Sequence, residues 1–353
     1  MPVILVVTLL TLCLAVLFAW SFRVLPRERW QILAVLPRQR EPDGTWRGTN
    51  LTWYGALNAL ATAVAFATVM FLTGSSGLPF GMTALILLAV LAVCIPASKI
   101  MNRIVEGHWQ GFTVGGASFI GILIIPWIVL VLARLILPGD HAVPLMVFGA
   151  LGPAYAIGEG IGRLACLSFG CCYGRRLTDC SPRLQALFTR GAAVFQGRLK
   201  KASYAGNLEG ERLVPVQALT AVVSSVAGLL GLALYLSGWP GLAYVVSLVI
   251  TQLWRFFSEF LRADYRGPGK ITVYQRMALI GAIYTIMVWM FWPNVASFPA
   301  PDVMLGLAAL WTPGAILLIE TVGLLVFLRM GISTVTASRI VFDINESRSM
   351  PRR

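Results

Sequence analysis

The chain has 353 residues, 58% of them hydrophobic and 12% charged, with a mean hydropathy of +0.78. Soluble domains carry about twice that share of charge, so a soluble globular protein is excluded and the composition is that of a polytopic membrane protein. The 28 Lys and Arg against 15 Asp and Glu give a net charge of +13, which in so apolar a chain suits anionic headgroups or phosphate and not nucleic acid.

Apolar stretches of about 20 residues, enough to cross the hydrocarbon core, recur along the chain. Residues 3–22 come first, with no basic stretch before them and no small-residue cleavage site after, so segment 1–22 reads as an uncleaved anchor and not as a leader. Residues 23–52 hold strand-like runs around Pro42-Asp43-Gly44, the signal of a hairpin lying on the bundle. Spans follow at 53–73, 80–98, 112–137 and 143–164. The longest polar stretch, 175–213, keeps Phe188, Phe195 and Tyr204 and reads as a small extramembrane subdomain, least ordered at 197–210. Spans at 215–237, 241–261, 273–292 and 303–328 complete the set, and 332–353 is a polar tail with a mobile end. The expected fold is all-α and polytopic, a bundle of about nine transmembrane helices with its core at 53–292 and an added helix within 293–331.

If each segment spans, 23–52, 99–111, 163–213, 262–272 and the tail share one face. Nearly all the basic charge lies there, and only Arg134 among the Lys and Arg belongs to the other face. The positive-inside rule puts the basic face in the cytoplasm.

An ionised side chain within a spanning helix costs about 2.5–3.5 kcal/mol or more, so such groups pair or line a polar site. Glu159 and Arg163 are four apart in the order that favours an ion pair, and Arg255, Glu259 and Arg262 fall on one face of the seventh span. Glu320 sits alone in the ninth. Structural pairing or snorkelling is the plain alternative for each. Guanidinium forks from two helix ends reaching one face suit bidentate capture of a phosphodiester.

Cys166, Cys171, Cys172 and Cys180 could close a tetrahedral zinc site, form a disulfide or remain reduced thiols. The spacing argues against metal: no Cys-x-x-Cys occurs, and adjacent Cys171 and Cys172 point apart on regular backbone. No metal and no cofactor is expected. Cys13 and Cys94 read as packing residues. The glycines around Gly158 lie inside an apolar helix with no preceding strand, which excludes a dinucleotide fingerprint.

Residues 158–175 read GEGIGRLACLSFGCCYGR. This stretch resembles the signature of the prolipoprotein diacylglyceryl transferase family, Gly-Arg-x-Gly-Asn-Phe-x-Asn-Gly-Glu-x-x-Gly. Gly162, Arg163, Gly170 and Gly174 match, while Cys166 stands at its Asn and Cys171 at its Glu, a Cys-Cys-Tyr-Gly variant. Trp53-Tyr54-Gly55, Gly115-Gly116, Pro215-x-Gln217, Arg255-x-x-x-Glu259-Phe-x-Arg262 and Gln275 resemble further family blocks in the same order, over about 52–279.

The resemblance implies a seven-helix core with one helix added at each end, in the bacterial cytoplasmic (inner) membrane. It implies transfer of a diacylglyceryl group from a phosphatidylglycerol-like phospholipid to the cysteine thiol of a lipoprotein precursor, with release of glycerol phosphate. In that reaction Arg163, Arg255 and Arg262 would steady the leaving phosphate, with Glu259 orienting the arginines on its own helix. Tyr54, Gly115, Gly116, Glu159, Cys166, Gly170, Cys171, Gly174, Gln217 and Gln275 would contact substrate.

The departures bear on the acceptor. Val114 stands at the family's essential His, and Val214, Leu219 and Thr220 replace the His, Tyr and Glu around Pro215 and Gln217. His108, Glu106 and Glu159 are the nearest alternative bases. A different acceptor, lipid or small metabolite, on the cytoplasmic face is one alternative. A non-catalytic lipid-binding protein or a transporter is another, although no inverted repeat supports transport.

Overall fold

The computed structural model describes residues 2–106, 114–137, 142–264, 271–292, 298 and 300–340. His108 and the end of the tail lie outside these residues, and the side chains of Glu106 and Val114 are not described.

In chain order the elements are α1 (Pro2–Val24), β1 (Ile32–Arg40), β2 (Trp46–Thr52), α2 (Trp53–Ser75), α3 (Phe80–Glu106), α4 (Val114–Ile136), α5 (Ala142–Phe169), α6 (Pro182–Phe188), α7 (Lys201–Tyr204), α8 (Val216–Leu236), α9 (Pro240–Ser258), α10 (Val273–Met290), α11 (Val303–Leu310), α12 (Pro313–Gly331) and β3 (Ile332–Ile340). Among the described residues, nine of these helices are long and apolar enough to cross a membrane: α1 to α5, α8, α9, α10 and α12. The fold is an all-α polytopic membrane fold, with a three-stranded sheet at its edge.

α5 is the buried centre of the bundle and packs against α2, α8 and α9. Small residues permit this: a Cβ on Gly160 would lie 2.2 Å from Ser225 Oγ and 2.8 Å from Ala221 O, so α5 and α8 touch nearly backbone to backbone. α1 and α12 bury little of their surface and lie at the rim, and Glu320 is on an exposed face of α12.

Three segments differ from expectation. The span expected at 303–328 is broken into α11 and α12 at Trp311-Thr312, because Pro313 has no N–H to continue the ladder and disfavours helix in the residue before it. Thr312 caps the new start by accepting from Ala315 N. The tail is not wholly irregular: Ile332–Ile340 pairs antiparallel with β2, which itself pairs with β1.

The third difference is the stretch 197–210, which is well tied down. Lys200 is fully buried, and its ammonium donates to Leu25 O at 2.9 Å and Ser168 O at 2.5 Å, carbonyls at the C-terminal ends of α1 and α5. Ala202 N donates to Gly170 O at 2.9 Å. Burial pushes the Lys200 ammonium down to about 7. The insert is therefore docked on the end of α5, beside the densest part of the signature.

Candidate functional site

Tyr155, Glu159 and Arg163 recur every four residues on one face of α5. Glu159 Oε1 accepts from Arg163 Nη2 and, at 2.5 Å, from Arg255 Nη2 on α9; Oε2 accepts from the Tyr155 hydroxyl. Arg255 Nη2 also donates to Tyr155 Oη at 3.1 Å. A Cβ on Gly115 would lie 3.1 Å from Arg255 Nη1 and 2.9 Å from Tyr274, so the bare backbone at the start of α4 leaves room for the guanidinium.

α9 ends at Ser258, and Glu259–Leu261 continue as a single 3-10 turn. Arg262 is extended and its backbone bridges to Gly174. A Cβ on Gly174 would sit 2.2 Å from Val214 O, so only glycine allows the chain after the signature to come this close. Arg262 grips Asp264 bidentately, Nε to Oδ1 at 2.8 Å and Nη2 to Oδ2 at 2.6 Å, and reaches Glu259 Oε1 with Nη1 at 3.3 Å. Glu259 therefore does not orient Arg255, as one helix face would have required. The partner of Arg255 is Glu159 on another helix.

Arg163, Arg255, Arg262, Glu159 and Glu259 line one cavity, together with Gln217, Thr220, Trp254 and Cys172. Two arginines against Glu159 give one end a formal charge of +1. Arg262 against Glu259 and Asp264 gives the other end −1. Among the described residues, three buried atoms of the lining residues have no hydrogen-bond partner: Arg255 Nε, Gln217 Oε1 and Glu259 Oε2. One donor on the positive side and two acceptors elsewhere describe a ligand with an anionic group and hydroxyl donors.

Gln217 Nε2 donates to Cys171 O at 2.8 Å, so its amide braces the signature turn from α8. α5 closes with Gly170 N and Cys171 N both donating to Cys166 O, at 2.8 and 3.1 Å, and with Gly170 left-handed at φ 74°. Cys172 is left-handed too, at φ 56°, an unusual conformation for a residue with a side chain. These turns bring the sulfurs of Cys166, Cys171 and Cys172 within 4.8 Å of one another. Hydrogen bonding to Cys166 and Cys172, with burial, holds the Cys171 thiol well above the ordinary range. Cys180 is elsewhere, donating to Arg176 O at 3.3 Å.

Tyr54, in the first turn of α2, packs its ring 5.7 Å from Phe169 and lies within electrostatic range of the three clustered thiols. Gly116 is buried in the first turn of α4. Gln275 is not in the cavity lining: its Oε1 accepts from Thr272 N at 2.8 Å and its Nε2 donates to Phe256 O at 3.1 Å, so both ends of the amide serve the α9–α10 junction.

Tyr155, Asp264 and the Trp254 indole, which donates to Thr220 Oγ1 at 3.0 Å, escaped sequence reasoning. For Tyr155 a signal existed, its four-residue spacing from Glu159. For Asp264 and Trp254 only the fold reveals the role.

The sequence model of the family described as prolipoprotein diacylglyceryl transferase matches residues 45–291. The chain belongs to the prolipoprotein diacylglyceryl transferase family. The match runs from β2 through α10 and contains the whole cavity lining, whereas α1, β1, α11, α12 and β3 lie outside it. A curated relative, phosphatidylglycerol–prolipoprotein diacylglyceryl transferase 2 of Clostridium perfringens, is 28% identical over 189 residues, 51% of this chain. The matched region spans 59% of that relative's length.

Proposed function

We propose that the chain transfers the diacylglyceryl group of phosphatidylglycerol, in the bacterial cytoplasmic membrane, to a thiol such as the cysteine of a lipoprotein precursor. The attacking sulfur forms a bond to the glyceryl carbon, the carbon–oxygen bond to phosphate breaks, and glycerol phosphate departs with the electron pair. Arg163 and Arg255 hold the phosphate at the positive end and offset the charge that builds on it, worth several kcal/mol in a dry site. Arg255 Nε supplies one of the donors. The headgroup hydroxyls donate to Gln217 Oε1 and Glu259 Oε2.

One observation carries the assignment. Guanidinium groups from α5 and α9 converge on a single carboxylate at the wall of a cavity whose orphaned atoms match a glycerol phosphodiester. The name of the Clostridium perfringens relative supplies the donor.

The test is to incubate purified protein with vesicles containing labelled phosphatidylglycerol and a cysteine-bearing lipoprotein peptide. Lipidated peptide and glycerol phosphate in equal amounts are expected. Bound phospholipid with no glycerol phosphate release would leave a lipid-binding protein; release with no peptide modification would move the activity to another acceptor.

A further inference from the structure

The transfer just described needs its acceptor as a thiolate, and among the described residues the cavity lining offers no ready base. Both carboxylates in its lining, Glu159 and Glu259, are held by arginines. Beside them stand three thiols for which that chemistry has no use.

We propose that Cys166, Cys171 and Cys172 form a three-thiolate site for one zinc ion, whose fourth position takes and deprotonates the thiol acceptor. The spacing that argued against metal in the sequence assumed regular backbone. The consecutive left-handed turns at Gly170 and Cys172 remove that objection by folding the two later cysteines back onto the last turn of α5. All three sulfurs lie within 4.8 Å of one another, against roughly 3.8 Å between sulfurs in a tetrahedral zinc site with bonds of about 2.3 Å, so closure takes side-chain rotation.

Charge and support fit as well. Three thiolates and Zn²⁺ leave one negative charge, and Arg163 lies within electrostatic range of Cys166 and Cys172, as Arg262 does of Cys172. Gln217 pins the backbone of Cys171 from α8, and docking of the insert holds Gly170 from below. Cys172 lines the cavity, so the cluster stands at its wall. Three protein ligands with an open position are the pattern of a catalytic zinc, and a thiol that coordinates zinc loses its proton. The acceptor thiol binds the ion, its proton passes to water, and the resulting thiolate attacks the glyceryl carbon as above.

This role rests on the transferase assignment; the metal site does not, and the experiment separates them. Full-length protein is purified in detergent under reducing conditions for metal analysis, and the metal-depleted protein is titrated with Co²⁺. Zinc at one ion per chain and an intense thiolate-to-cobalt absorption band are expected. Cys171→Ser should abolish both, and Cys180→Ser should retain both. Should Cys171→Ser fail to fold, the cobalt titration of the unaltered protein decides alone. Absence of the cobalt band, or a disulfide among the three cysteines in protein purified with reductant, overturns the site. Glycerol phosphate release from zinc-free protein at the full rate overturns the zinc role and leaves the transferase standing. Bound zinc with no release under any condition retains the metal site and overturns the transferase.

Discussion

Arg255 on α9 and Glu159 on α5 meet at 2.5 Å, across the two helices that carry the cavity between them. The same carboxylate oxygen takes Arg163, so one anion organises two guanidiniums from different parts of the chain. A carboxylate 4% exposed that serves two cations joins α5 to α9 structurally as well as electrostatically.

Removing that carboxylate leaves two charges buried without their counter-ion. Glu159→Gln is expected to destabilise the protein by about 3–5 kcal/mol. Unfolding in detergent followed by circular dichroism measures it, and a double cycle with Arg255→Gln should return a coupling of at least about 1 kcal/mol. Additive single effects would mean that the pair is not formed in the membrane.

Arg255 contacts two oxygens with one nitrogen, and its Nε is buried with no partner among the described residues. Lysine keeps the charge but has no planar fork to do both. Arg255→Lys should therefore lower kcat/KM for glycerol phosphate release by about 10²-fold, close to the loss in Arg255→Ala. A lysine variant at the unaltered rate would show that charge alone suffices.

Tyr155 binds Glu159 and Arg255 through one hydroxyl. Tyr155→Phe removes this hydroxyl and leaves buried partners short of a bond, at a cost of about 1–3 kcal/mol. Headgroup affinity, read by titrating phosphatidylglycerol vesicles, should fall along with stability. Unchanged values in both measurements would count against the hydroxyl as part of the cluster.

Lys200 makes stability depend on pH in a definite direction. Its folded value is about 7 and its free value 10.5, so between these limits the unfolded chain holds a proton that the folded chain has released. Stability should consequently rise as pH is raised from about 7 toward 10. Lys200→Met should flatten this slope and destabilise the fold near pH 9, because Leu25 O and Ser168 O lose their donor. Thermal unfolding midpoints across that range provide the check; a slope that persists in the variant would assign it to another group.

Much of the bundle was legible because a bilayer imposes a simple rule on sequence: the backbone must satisfy itself in apolar segments of fixed length. The spanning segments α2 to α5 and α8 to α10 needed no tertiary information. The break at Trp311-Thr312 was also written locally, in Pro313, but was hidden by the apolar run on either side. At the site, the pairing of Glu159 with Arg163 follows from helical spacing, and the same reading of charges inside apolar segments singled out Arg255 and Arg262. The expected orientation of Arg255 by Glu259 is not found, because α9 ends one residue before Glu259 and the chain turns Arg262 toward Gly174.

Composition and periodicity by themselves determined that this chain crosses a membrane many times and which arginines it must neutralise there, since both depend on transfer from water to lipid of residues in sequence. Only the tertiary structure decided who neutralises whom. Arg255 and Glu159 are 96 positions apart, and the three clustered thiols meet through two left-handed turns that no spacing announces. Such contacts depend on how separate helices pack and where the backbone reverses, which are properties of the assembled bundle.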